Sequence, residues 1–302
     1  MFRVQLTFKN IFRAKGIGIL AKIYKKIYDN SPLSNTSRKN SIFSNLFLKL
    51  PHFATLYIKT SDNNLLKMKI DTRNTQYHSV YFDKYRNGYE TDVISLIDFF
   101  LKKDGVFYDI GSNWGHHSLY AIFSDLSKNI EVFAFDVQTE VLNDLMKFKQ
   151  DNNIDQLNIL NVALSDSSEK DISFCSRDNF HTGLYSLSND KKLKKIKTST
   201  LDSLNLRKPD LIKVDVEGME INVLLGSLKT IKNSRPVIIF ENPKYDSFLI
   251  NETLGSLEYK LYSIYVVSNS DNICKMELRK YDEESLEKNI LCIPNEKIRL
   301  LV

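Results

Sequence analysis

The chain has 302 residues, 42% hydrophobic and 26% charged, with a formal net charge of +5 and three cysteines. That length can bury one large core or two small ones, and the balance is ordinary for a globular protein. It excludes a disulfide-stapled miniature scaffold and a highly charged disordered chain. No apolar run approaches the ~18 residues of a membrane span.

The first 28 residues hold seven Lys or Arg and no acid. Leu20, Ile23, Tyr24 and Ile27 recur at helical spacing with Lys22, Lys25 and Lys26 between them, which predicts an amphipathic helix over residues 1 to about 30. Its apolar stripe would pack on the protein's own body or a second subunit, as in a homo-oligomer, or lie on an anionic membrane through residues 1–28. Lys9, Arg13 and Lys15 interrupt the apolar core that a cleaved signal peptide needs, so a cytoplasmic protein, at most peripheral to the membrane, is expected. "NSPLSNTSRKNSIFS" reads as a linker. "ATLYIKTSDNNLLKMKI" gives two strand-like runs around Asp62-Asn63-Asn64, a hairpin. Residues 1–84 are thus expected to form a helical and β-hairpin extension.

From Glu90 the rhythm changes. "TDVISLIDFFLKK" predicts a helix, "VFYDI" a strand, "IEVFAFD" a second strand followed by a helix from Thr139 to about Gln150, and "LNILNVAL" a third strand. An insertion at 176–197 carries His181 and the cluster Lys191, Lys192, Lys194, Lys195 and Lys197, for which a solvated face is the plainer reading. "LIKVDVEG" is a fourth strand with a helix from Glu220 to Leu228, and "PVIIFEN" a fifth. Such alternation predicts a mostly parallel sheet covered on both faces, in one α/β domain over residues 85–302. "YKLYSIYVV" and "NILCI" would close it with an antiparallel pair. Cys175, Cys274 and Cys292 have no metal-ligand spacing and suit small apolar fillers in a reduced protein.

In an open α/β sheet, ligands sit outside the carboxyl ends of the strands. There the strands end at Asp109, Asp136, Asp215 with Glu217 just after, and Glu241, while Asp166 follows the third strand. A single acid after a strand is as well explained by turn formation or helix capping; five suggest one acidic cleft. After the first strand comes Gly111-Ser112-Asn113-Trp114-Gly115, with Asn113 where a dinucleotide fingerprint could place its middle glycine. Asp109 would repel a pyrophosphate but suits a cationic amine beside a carboxylate, with Asp136 taking a ribose diol. An amino acid joined to a nucleoside without phosphate describes S-adenosylmethionine.

The run "VFYDIGSNWGHHSLYA", "VFAFDVQTE", "ILNVALSD", "TSTLDSL", "LIKVDVEGMEINVLLG" and "PVIIFEN" resembles the FkbM family of S-adenosylmethionine-dependent methyltransferases over about residues 85–295. The resemblance implies a Rossmann-like class I methyltransferase: a seven-stranded, mostly parallel sheet with an antiparallel C-terminal hairpin. It also implies methyl transfer, usually to a hydroxyl oxygen of a sugar, glycan component or natural product. The family often has an acid followed by Pro after the second strand; here the sequence is Asp136-Val137-Gln138.

The expected cofactor set is Glu90, Asp109, Gly111, Ser112, Asn113, Gly115 and Asp136, with Asp166 at the adenine amine. Asp215 and Glu217 are the first candidates for the base, then Glu241 and His181. Asp215, Glu217 and Glu241 offer oxygen ligands that would suit Mg²⁺, although hydrogen bonding within the cleft is the preferred reading and no metal is assigned. His116 and His117 begin a helix, where one could face the cleft, although capping or exposure is the plainer expectation for both. Trp114 is expected to pack and Gly218 to permit a turn. Two alternatives stand beside this reading. One is an NAD-dependent oxidoreductase on a similar fold, disfavoured by Asp109 and the missing third glycine. The other is a nucleic-acid methyltransferase, prompted by the basic stretches.

Overall fold

The computed structural model describes residues 1–15, 53–71, 74–77, 88–176, 185–186, 194–242, 247–282 and 287–301. In chain order the strands and helices are β1 (Phe2–Thr7), β2 (Phe12–Lys15), β3 (Phe53–Lys59), β4 (Leu65–Asp71), α1 (Thr91–Phe100), β5 (Val106–Ile110), α2 (His116–Phe123), β6 (Glu131–Asp136), α3 (Thr139–Asn152), β7 (Leu157–Asn161), β8 (Ala163–Leu164), β9 (Asp171–Ser176), β10 (Tyr185–Ser186), β11 (Lys194–Ser199), β12 (Leu211–Val214), α4 (Glu220–Leu225), α5 (Leu228–Ser234), β13 (Val237–Glu241), α6 (Ser247–Ser256), β14 (Tyr259–Ser270), β15 (Ile273–Lys280) and β16 (Asn289–Pro294).

The main sheet has nine strands in the order β1-β15-β14-β16-β13-β12-β5-β6-β7. Strands β13, β12, β5, β6 and β7 run parallel, β16 enters antiparallel between β13 and β14, and β15 and β1 extend that edge antiparallel. The expected parallel core and reversed closing hairpin are both present, and β1 and β15 add two strands to the expected seven. Smaller sheets have the orders β10-β9-β11-β8 and β2-β3-β4.

All five residues of β5 are buried, as a strand covered on both faces requires. Its side chains alternate between two apolar clusters. Phe107 joins the one that includes α1 and α2, while Val106, Tyr108 and Ile110 join the one beneath α4, α5 and α6. By the same alternation Leu211 faces the first cluster and Ile212 and Val214 the second. Asp109 and Lys213, paired across β5 and β12, therefore share the α1/α2 face.

The expected helix over residues 1 to about 30 is corrected for its first half: residues 2–7 and 12–15 are strands. Phe2, Val4 and Leu6 alternate with the exposed Arg3, Gln5 and Thr7, a period of two that suits one buried face. The Leu20–Ile27 stripe, His181, Lys191 and Lys192 lie outside the described residues. The hairpin around Asp62-Asn63-Asn64 forms as expected, from β3 and β4. The first apolar cluster runs across the expected boundary at residue 84, joining Phe8, Ile11, Phe12, Leu56 and Ile70 to Val93, Leu96, Trp114 and Leu119. The helix expected from Glu220 to Leu228 breaks at Gly226 into α4 and α5. No helix among the described residues is long and apolar enough to cross a membrane.

Candidate active site

Chain order reverses at β5, whose neighbours are β6 on one side and β12 on the other, the place where such sheets open a crevice. A cavity of about 300 Å³ lies there, lined by the residues that end β5, β6, β12 and β13.

One end is built on the glycine loop. Gly111 has φ +82°, and a Cβ on it would stand 1.7 Å from the Asp215 carbonyl oxygen, so loop and β12 end touch backbone to backbone. Asn113 also takes positive φ, 49°. Asp136, at the end of β6, receives the Asn113 N–H on Oδ2 and the Gln138 N–H on Oδ1, both at 2.8 Å. It thereby ties the loop to the start of α3 while lining the cavity. Ser112 lines the same end, and its buried hydroxyl makes no hydrogen bond to a described residue. Val137, Val162, Ala163, Leu164 and Ile172 add an apolar slot.

Asp109 lies elsewhere than expected. Fully buried on the α2 face of β5, it accepts the Ser118 N–H at 3.0 Å and hydroxyl at 2.6 Å, both on Oδ2. It fastens the first turn of α2 beneath the loop and is not among the cavity-lining residues, while its Oδ1 is buried with no hydrogen-bond partner among the described residues. Glu90, at the N-terminus of α1, does line the cavity. Its carboxylate lies 3.1 Å from His117 Nε2 and receives the Lys288 ammonium. Burial would raise its pKa, but His117 and Lys288 outweigh that and hold it well below the ordinary range. Asp166, expected near an adenine, is exposed, accepts the Ser165 and Ser167 hydroxyls and is not among the cavity-lining residues.

Next to the loop, at the ends of β12 and β13, stands the carboxylate group. Oxygens of Asp215, Glu217 and Glu241 lie within 4.8 Å of one another. Lys213, only 3% exposed, donates to Asp215 Oδ2 at 2.9 Å, and Lys288 stands 3.5 Å from Glu241. Burial opposes ionisation of Asp215, yet Lys213 and a hydrogen bond with Glu241 bring its pKa below the ordinary value. Burial, that hydrogen bond and the Asp215 charge push the Glu241 carboxyl up to about 9. Glu217, at φ +52°, opens to solvent on one side, and the part of its carboxyl turned into the cavity is pushed upward by desolvation and then by Asp215 and Glu220. These three are the described residues that could share a divalent cation. Two ammonium groups already bring positive charge to them, and we assign them no metal.

His116 and His117 are corrected from capping or exposure to burial, at 7% and 5% exposed, in the cavity wall. Burial, then His117, lowers the His116 pKa to about 3. Trp114 packs as expected, 2% exposed, and also lines the cavity. Gly218 permits its turn at φ +98°. The sequence reading missed Lys213, Lys288, Gln76 and Tyr89, all in the cavity wall. Only Lys213 carried a local signal, a lysine inside the apolar strand "LIKV".

The Methyltransferase FkbM domain matches residues 109–264. Hexuronic acid methyltransferase AglP of Haloferax volcanii is 32% identical over 154 residues, 50% of this chain and 61% of that protein. The chain thus spans less than two thirds of that relative. The crystal structure of Methyltransferase FkbM from Methylobacillus flagellatus KT aligns with a TM-score of 0.45 at 13% identity, covering 90% of this chain and 58% of that one. Precorrin-6y C5,15-methyltransferase from Geobacter metallireducens GS-15 aligns at 0.39 and 11% identity, covering 70% and 87%.

Proposed function

Because the chain belongs to the FkbM methyltransferase family, we propose that it transfers a methyl group from S-adenosylmethionine to a hydroxyl oxygen of a sugar or glycan. One observation carries the reading: a single cavity joins the glycine loop and Asp136 to the carboxylates Asp215, Glu217 and Glu241. The fit to the cofactor rests on the donor set. Asp136 lines the cavity where a carboxylate suits a ribose diol, the slot of Val137 and Val162–Leu164 suits a base, and Glu90 suits an ammonium group. The buried Ser112 hydroxyl is a polar atom left for a ligand.

S-adenosylmethionine, when bound, supplies an electrophilic methyl carbon on a sulfonium sulfur. The chain must hold the acceptor hydroxyl in line and take its proton. Glu217 is the base: it lines the cavity next to Asp215, whose charge makes its carboxylate a stronger proton acceptor than an ordinary one. Lys213 pairs with Asp215 and favours its charged form, and that charge in turn favours the protonated form of Glu241.

A sugar acceptor is supported by the relative named for hexuronic acid. The test is calorimetric titration with S-adenosylhomocysteine, with NAD run beside it. Micromolar binding of the first and none of the second is expected; NAD binding alone would overturn the cofactor assignment. Screening uronic acids and neutral sugars for methyl incorporation then tests the acceptor.

A further inference from the structure

The family match begins at residue 109, yet part of the cavity wall comes from before it. Gln76, in the single turn Thr75–Tyr77, and Tyr89 line the cavity beside Trp114 and His116. Behind them the rings interlock. Phe12 of β2 meets Trp114 edge-on at 5.5 Å between centroids and His116 at 4.8 Å, and Tyr77 meets Trp114 at 5.3 Å. The Tyr77 hydroxyl donates to Asp144 of α3 at 3.3 Å. Leu145, the next residue of α3, is the side chain that a Cβ on Gly115 would strike at 2.8 Å. Phe12, Tyr77 and Trp114 are all buried. Trp114 stands between Asn113 and Gly115, both at positive φ, so its ring is a handle on a backbone that surrounding contacts must hold.

We infer that the N-terminal segment is a positioning element of the cofactor site: Phe12 and Tyr77 clamp Trp114 and so hold the Gly111–Gly115 loop in its receiving shape. The inference rests on the S-adenosylmethionine reading above. Loosening the clamp leaves the loop to be ordered at the moment of binding, which weakens affinity without removing any group that touches the ligand.

Trp114 is the chain's one tryptophan, so its fluorescence reports on the loop directly. The experiment titrates S-adenosylhomocysteine into the full chain by calorimetry and by Trp114 emission, for wild type, Phe12→Leu and Tyr77→Leu. Ile70→Val, in the core of the same small sheet, is the stability control. Phe12→Leu and Tyr77→Leu, folded by circular dichroism, should bind roughly tenfold more weakly, equivalent to about 1.4 kcal/mol. Their free-state emission should shift to the red, while Ile70→Val lowers the melting temperature and leaves affinity alone. Folded variants that bind as wild type would overturn the clamp. Hydrogen exchange of the wild type needs no variant: the ligand should slow exchange in residues 8–15 and 74–77 together with 111–118, and unchanged exchange in the first two would also overturn it. A wild type that binds no S-adenosylhomocysteine would instead remove the cofactor reading itself.

Discussion

Glu241 and Asp215 show how one proton is placed by its surroundings. Glu241 is held near 9 against an ordinary 4.5, so the folded chain keeps a proton that the unfolded chain releases. The unfolded state then binds fewer protons, and stability falls as pH rises from about 5 to about 9; Glu217 adds the same sign up to about 7. Glu241→Gln cannot lose that proton, so its melting temperature should fall less than that of wild type between about pH 6 and about pH 9. Equal slopes would show that Glu241 is ionised throughout. Glu90 and Asp109 divide another task. Glu90 faces the cavity, whereas Asp109 fastens Ser118. Glu90→Gln should therefore weaken S-adenosylhomocysteine binding about tenfold or more, on the scale of a charge-assisted hydrogen bond. Asp109→Asn should register mainly as lost stability, and a larger affinity loss for Asp109→Asn would reverse the assignment.

Among the elements, the strand-to-helix turn after β5 tolerates least. At Gly111 an added Cβ would overlap the Asp215 carbonyl, so the end of β12 would have to move and take the carboxylate group with it. Gly218 also has positive φ but open space around it, so alanine there costs only the backbone strain of about 1–2 kcal/mol. Gly111→Ala should abolish S-adenosylhomocysteine binding and lower the melting temperature strongly, while Gly218→Ala lowers it by a few degrees and retains binding. Comparable losses at the two positions would mean that φ, not the contact with β12, is what Gly111 provides.

For the whole molecule, the N-terminal segment is built into the main body. β1 is the outermost strand of the nine-stranded sheet, and Phe2 meets Tyr262 of β14 at 5.6 Å. Lys9 donates its backbone N–H to the Tyr120 hydroxyl and its ammonium to the Ser124 carbonyl of the α2 end. Removing residues 1–84 would uncover the β15 edge and the faces of α1 and α2 that Phe8, Phe12 and Leu56 cover. We expect the full chain to melt in one cooperative transition and a chain of residues 85–302 to aggregate or melt without one. A soluble 85–302 fragment with a sharp transition would show that the two parts fold independently.

The sequence alone determined the parallel core, its closing hairpin and the edge on which the acids gather. Short apolar runs, their spacing and the glycine turn are local properties that act before any long-range contact forms. Which acids reach the cavity was decided by tertiary structure. Asp136, Asp215 and Glu241 do, but Asp109 follows the alternation of β5 toward α2, and Asp166 turns outward after β8. Lys213 was legible as a charge within an apolar strand. The pairing of Lys288 with Glu90, 198 residues apart, left no trace in either neighbourhood. The alternation of Phe2, Val4 and Leu6 was a legible strand signal, but nothing in it told that the N-terminal strands would flank the glycine loop. Side-chain direction and long-range pairing are set by which faces pack together, and only the folded chain brings those faces into contact.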